Sequence, residues 1–353
     1  MIDEWQLFPE SWDVVRRAVD EDPVPGRFIL TGSATPTSKP THSGAMRITP
    51  VRMRPLTLFE RGAETPTVSL AALLSGERPG LSGDTEVTLE DYTDEILAGG
   101  FPAMRHGAGR ARSAALGGYL ERIVDVDLPE LGLSVRHPQT LMRWLRAYAA
   151  ATSTTTSFEK IRAAATSGAG VTPAKTTAIR YQQALERIWI LDPVAAWAPT
   201  NNHLARLTGA PKHHLADPAL AAHLVGIDQG ALLSGEGPGL VQRDGSFLGA
   251  LFESLTTLDV RVLAQVAEAT TGHVRTRGGN HEIDLVAVRR DQKVVAIEVK
   301  LSATIHDKDV AHLRWFANEL GDDLLDAIVI STGPAAYRRA DGIGVVPLAL
   351  LGP

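Results

Sequence analysis

No cysteine occurs among the 353 residues, which excludes a disulfide framework, a thiol nucleophile and a cysteine-ligated zinc site. No apolar run reaches the roughly 18 residues that a membrane-crossing helix requires. The opening Met1-Ile2-Asp3-Glu4 is acidic where a signal peptide is basic. These absences lead to the expectation of a cytoplasmic chain with no membrane partner. Net positive charge is missing too: 35 Lys and Arg against 41 Asp and Glu leave -6, so contact with nucleic acid has to come from a local patch. There is no Gly-x-Ser-x-Gly elbow to support a hydrolase triad. What is present is ordinary, and at roughly 100 to 200 residues per domain the length predicts two or three domains.

Periodicity divides the chain. Trp12, Val14, Val15 and Val19 fall at helical spacing, and Phe28-Ile29-Leu30 reads as a short strand. Turn residues crowd the stretches 34–46 and 75–84, the second a natural boundary. Helical spacing then runs from Leu89 to about Ala151, broken by Gly99-Gly100-Phe101-Pro102 and Pro129. A short helix from Ser157 to Ala165, a Gly-rich turn, a longer helix from Pro173 to Ile190 and an apolar segment from Trp189 to Trp197 give the order helix, turn, helix, hairpin. After Val274 the period becomes two: His281 to Val288 and Lys293 to Val299 alternate around the turn 289–292. A helix near Ala311 to Leu320 and the apolar runs Ala327 to Ser331 and Gly344 to Leu351 complete an α/β pattern.

The sharpest chemistry lies in that last part. Residues two apart share a face of a strand, so Glu298 and Lys300 project together, and hairpin pairing brings Asp284 alongside. Glu253, on a predicted helix, can add a further carboxylate. Carboxylates hold a hard cation such as Mg²⁺, the metal steadies a phosphodiester oxygen, and a nearby lysine orients the attacking water. The arrangement resembles the PD-(D/E)xK nuclease fold, with Asp284, Glu298 and Lys300 on its core motif and Glu253 on its helical acid. Ile283-Asp284 stands where that family's proline-aspartate pair is usual. A carboxylate-x-lysine strand also arises by chance as a solvated face.

At the other end, Asp3-Glu4 follows Ile2, and Thr31 and Ser33 end the next strand. An acidic pair at a strand end is the Walker B arrangement, in which the first acid holds Mg²⁺ and the second positions water on a γ-phosphate. Acids at a helix N-terminus are the plainer explanation. Taken with Arg52 to Glu60, Gly99 to Pro102, Tyr119 to Asp127, Lys175 to Leu191, Lys212 to Pro218 and Arg275 to Lys300, the sequence resembles AAA-type ATPases of bacteria and archaea that end in the domain of unknown function 4143 (DUF4143). The resemblance covers nearly the whole chain. It implies an α/β multidomain fold: a partial P-loop ATPase sheet over 1–75, a helical lid over 85–135, a winged-helix-like unit over 136–200 and a PD-(D/E)xK restriction-endonuclease-like α/β domain over 203–353. It further implies Asp3 on Mg²⁺, Glu4 activating water, and Thr31 and Ser33 reading phosphate.

The departure is the Walker A loop. No G-x-x-x-x-G-K-[ST] occurs in the sequence, so ATP is expected only where upstream sequence supplies a P-loop. A degenerate homologue and a start codon assigned too late both explain this, and the late start is the favoured expectation. A third signal is the start of the longer helix, where Lys175, Thr176, Arg180 and Tyr181 are placed to meet DNA; a packing role for the same helix is equally open. The leading expectation is a DNA-associated ATPase homologue with impaired nucleotide handling, with a homo-oligomer in keeping with ring-forming relatives. The alternatives are a metal-dependent DNA nuclease built on Glu253, Asp284, Glu298 and Lys300, and a non-catalytic DNA- or protein-binding module. Whether the chain is an enzyme stays open among the three.

Overall fold

The computed structural model describes residues 1–32, 45–105, 107, 109–130, 137–166, 173–199, 209–234, 245–276 and 278–353. Strand β1 (Val68–Ser69) pairs in parallel with β8 (Leu351–Gly352). The other strands are β2 (Thr270–Arg275), β3 (Glu282–Val288), β4 (Val294–Val299), β5 (Leu324–Ser331), β6 (Tyr337–Arg338) and β7 (Gly344–Pro347). They form a six-stranded mixed sheet in the order β2-β3-β4-β5-β7-β6. Strands β2, β3 and β4 are antiparallel neighbours, whereas β4, β5 and β7 run parallel.

The sheet is buried on both faces, and its sequence shows why. Val, Ile and Leu fill β3, β4 and β5, and alternate residues enter different cores. Leu285, Ala287, Val295 and Ile297 join one cluster, while Val286, Val288, Val294 and Ala296 join the other. The helices Gly245–Val266 and Leu70–Ser75 pack on the first face; Ala311–Leu320, the crossover between β4 and β5, packs on the second. This crossover lets two parallel strands lie side by side. The element order from residue 245 is helix, three strands, helix, strand.

Upstream the chain is helical. Thr88 and Asp91 form a reciprocal capping box at the start of helix Leu89–Ala98, and Ser157 caps Phe158–Ala164 through the Lys160 N–H. Asp217 accepts from the Ala219 and Gly100 N–H groups, at 2.8 and 2.6 Å, capping helix Pro218–Val225 and fixing the Gly99-Gly100 corner. A Cβ on Gly100 would lie 2.5 Å from the Leu56 carbonyl oxygen, so the close approach of these segments requires glycine there.

One buried cluster runs from Leu58 to Leu351, across the units set apart by composition, and a second lies between Val274 and Val345. Two expectations are revised. The expected strand Phe28-Ile29-Leu30 is reduced to a single parallel bridge between Ile2 and Leu30, and Met1, Leu7, Phe8 and Ile29 around it are exposed. The apolar segment after Trp189 does pair, but with residues beyond the boundary expected near 200: Leu191 bridges Leu215, Val194 bridges Lys212 and Ala196 bridges His273 on β2. The N–H groups of Asp192, Val194 and Trp197 donate to the carbonyls of His214, Lys212 and His273.

Candidate functional site

The hairpin β3–β4 sets the site. Its last registered pair is Leu285 with Ile297, so Asp284 and Glu298 follow at the same end of the two strands. Glu298 alternates with Val294 and Ala296 and therefore faces the crossover helix Ala311–Leu320. Asp284 Oδ2 accepts from the Val299 N–H at 2.9 Å, and Glu298 Oε1 accepts from Lys300 Nζ at 2.7 Å. Both acids and Lys300 line a cavity of about 470 Å³ with Glu282, Lys308, Asp309 and His312. Glu298 is 4% exposed, and its Oε2 has no hydrogen-bond partner among protein atoms.

Glu253 does not line that cavity. It sits on Gly245–Val266 and meets Asp284 through a residue whose role the sequence did not signal: Lys212, 1% exposed. Lys212 Nζ lies 2.8 Å from Glu253 Oε1, 3.1 Å from Asp284 Oδ1 and 3.2 Å from Glu282 Oε1. Burial opposes the lysine charge, yet Asp284, Glu253 and Glu282 outweigh it and push its pKa up. Burial, reinforced by the Asp284 charge, raises Glu253 to about 8 against the pull of Lys212. Glu298 rises to about 8 for the same first reason, with Lys300 and Lys212 opposing. Lys300 is raised, its neighbours Glu298, Asp284 and Asp309 overcoming the cost of burial.

The donor set does not fit a divalent metal as arranged. Among the described residues no group of three or more His, Asp or Glu side chains is placed to hold one. Oxygens around Mg²⁺ stand at about 2.0–2.1 Å, whereas the carboxylates here surround an ammonium. The histidines 213 and 214, adjacent to Lys212, are buried packing groups: His213 Nε2 bonds the Thr156 carbonyl and His214 Nδ1 the Ser254 hydroxyl.

The remaining expected site residues are dispersed. Asp3 accepts a hydrogen bond from the Thr31 hydroxyl across the Ile2–Leu30 bridge, and Glu4 accepts one from the Gln6 amide. Ser33 lies outside the described residues. On helix Lys175–Arg187, Thr176 and Arg180 are exposed, and Lys175 is exposed while paired to Glu159 at 3.2 Å. Tyr181 departs from expectation: it is 5% exposed and packs in the core, because it falls on the same helix face as Ala178 and Leu185. A second cluster also went unread. Asp192 receives Arg52 Nη1 at 2.6 Å, Arg54 Nε at 2.9 Å and Arg261 Nη1 at 2.9 Å, with the Arg52 guanidinium 4.4 Å from the centre of the Trp189 ring.

Residues 248–351 match the family described as Domain of unknown function (DUF4143). Residues 89–231 match a second, Domain of unknown function (DUF8612). The DUF4143 match covers the six-stranded sheet and the carboxylate-lysine centre except Lys212, which falls within the DUF8612 match. Two curated relatives, Uncharacterized protein Mb2031c of Mycobacterium bovis and Uncharacterized protein Rv2008c of Mycobacterium tuberculosis, are each 28% identical over 231 residues, 64% of this chain and 44% of the relative. The chain thus spans less than half the length of the curated relatives it matches. No solved structure matches it. No helix among the described residues is long and apolar enough to cross a membrane.

Proposed function

We propose that this chain is a DNA-associated homologue of AAA-type ATPases, with DNA met by helix Lys175–Arg187 and a C-terminal unit of PD-(D/E)xK type. The observation that carries the reading of the C-terminal unit is the run of helix, three strands, helix and strand that brings Asp284, Glu298 and Lys300 to one cavity. Support at the other end is the Asp3–Thr31 contact, which makes neighbours of the two residues that the ATPase resemblance assigns to Mg²⁺ and to phosphate. Those two residues serve ATP only beside a glycine-rich phosphate loop, and the sequence contains none.

DNA association is tested with fluorescently labelled duplex and a salt series. The Lys175→Ala/Arg180→Ala double variant should weaken binding uniformly across sequences and flatten the salt dependence by about two phosphate contacts' worth of slope. An unchanged slope in a folded double variant would remove this helix from the interface. Metal-dependent cleavage is the second reading, favoured by the convergence of Asp284, Glu298 and Lys300. It requires a divalent ion to enter among carboxylates already bound to Lys212, so its signature would be Mg²⁺- or Mn²⁺-dependent cutting abolished in Glu298→Ala.

A further inference from the structure

Lys212 is held in place before its side chain makes any contact. Its N–H donates to the Val194 carbonyl and its carbonyl accepts from the Val194 N–H, both at 2.9 Å. The next two residues are anchored as well, through the His213 and His214 rings. The backbone therefore aims the side chain inward at a fixed point. An ammonium has three N–H donors, and three carboxylates, those of Glu253, Asp284 and Glu282, surround it within 3.2 Å. Burying a lysine sacrifices its hydration and its rotamer freedom, so such burial persists only with full pairing.

The geometry distinguishes an ammonium from a metal. N–H···O bonds span about 2.7–3.2 Å, the range observed, while Mg²⁺ demands about 2.0–2.1 Å and Ca²⁺ about 2.3–2.6 Å. Contracting the ring onto a small ion would drag together the helix Gly245–Val266 and strand β3, which carry Glu253 and Asp284 and are packed in the same core. We propose that the Lys212 ammonium is the resident cation of this carboxylate centre, filling the space among Glu253, Glu282 and Asp284. Asp284 is held between this ammonium and the Val299 N–H, beside Glu298 and Lys300.

The claim concerns cation binding only, so it stands or falls apart from DNA contact at Lys175 and Arg180. The test uses the full chain and Mn²⁺ alone, with free Mn²⁺ read by electron paramagnetic resonance. Wild type should show no stoichiometric site. Lys212→Ala, which empties the cation position and leaves room for an ion with its waters, should bind one Mn²⁺ at least about tenfold more tightly than the residual, non-stoichiometric binding of wild type. Adding Asp284→Asn to that variant should abolish the gain. A wild-type site lost on Asp284→Asn overturns the proposal, and so does a folded Lys212→Ala that gains nothing. A second readout needs no variant: reductive methylation of the wild-type chain, located by mass spectrometry, should modify the exposed Lys175 and spare Lys212 with or without Mn²⁺. Mn²⁺-induced methylation of Lys212 would show a metal displacing it, and would end the argument.

Discussion

Asp192→Asn is the most demanding test of the packing between the N-terminal and C-terminal parts. The carboxylate is 5% exposed and joins three segments: the strap carrying Arg52 and Arg54, the turn after Ile190, and helix Gly245–Val266 through Arg261. Three guanidiniums share one anion. Their crowding is visible in Arg261, whose pKa burial lowers to about 10, with Arg54 and Arg52 adding to the effect against the pull of Asp192. Arg52 is lowered as well, first by burial. Removing one partner from a buried ion pair costs about 3–5 kcal/mol, because the remaining charge is left uncompensated. Here the amide keeps some hydrogen bonds but leaves three positive groups facing one another, so the loss should fall in the upper part of that range. Urea unfolding followed by tryptophan fluorescence and by circular dichroism measures it, and coincidence of the two transitions licenses the free energy. Trp189, beneath Arg52, is a local reporter. The exposed Asp323→Asn serves as control, with an expected change within about 0.5 kcal/mol. A loss below about 1 kcal/mol for Asp192→Asn would refute the reasoning.

Two further outcomes follow from the same structure. Burial raises the Glu253 and Glu298 carboxyls from 4.5 to about 8, so ionising them costs the folded chain more than the unfolded one. Their contribution is full below pH 4.5 and disappears as pH rises through about 8. Asp259, raised to about 7 by burial, adds in the same direction. Melting temperature should therefore fall between pH 5 and 9, and less steeply in Glu253→Gln; a flat profile would contradict the assignment. Glycine substitutions separate steric need from chance: Gly100→Ala should cost about 2 kcal/mol or more against the Leu56 backbone. Gly118→Ala, mid-helix with nothing within 4 Å, should gain about 0.5–1 kcal/mol in the same melts.

Much of the C-terminal sheet was legible in the sequence because period-two alternation is local. The hairpin 281–299 needed only its own residues and the turn 289–292 to declare itself, and Asp284, Glu298 and Lys300 came with it. Helix Ala311–Leu320 likewise announced itself by spacing. Lys212 did not, since its significance lies in residues 41 to 72 positions further on, and the sequence around it reads as a basic start to a histidine pair. Asp192 and its arginines were hidden for the same reason, with partners 138 to 140 residues upstream. Tyr181 was misplaced because helix position was weighed by composition near the N-terminus and not by face: three residues beyond Ala178 and four before Leu185, it belongs to the buried stripe. Bridges such as Val194 to Lys212 and Ala196 to His273 carry backbone pairing between residues on either side of position 200, a non-local choice that no window of sequence contains.

The charges around the cavity bear on where DNA is met. Glu282, Asp284, Glu298 and Asp309 line it against Lys300, Lys308 and His312, and Lys300 is already committed to Glu298. A phosphate entering there gains little from cations so occupied and meets the carboxylate oxygens directly. In metal-dependent phosphodiester chemistry the ion removes that repulsion. With Lys212 buried behind Asp284, its charge is spent on Glu253, Glu282 and Asp284, and it presents no open position to a ligand. Thr176 and Arg180, by contrast, stand exposed on a helix whose only acidic residue, Glu186, lies near its far end. Sequence-independent attraction to a duplex scales with accessible cations, so the proposed DNA contact is expected at the helix before the cavity. Under the same proposals, Lys212 is the position at which a single substitution should turn a metal-free centre into a metal site.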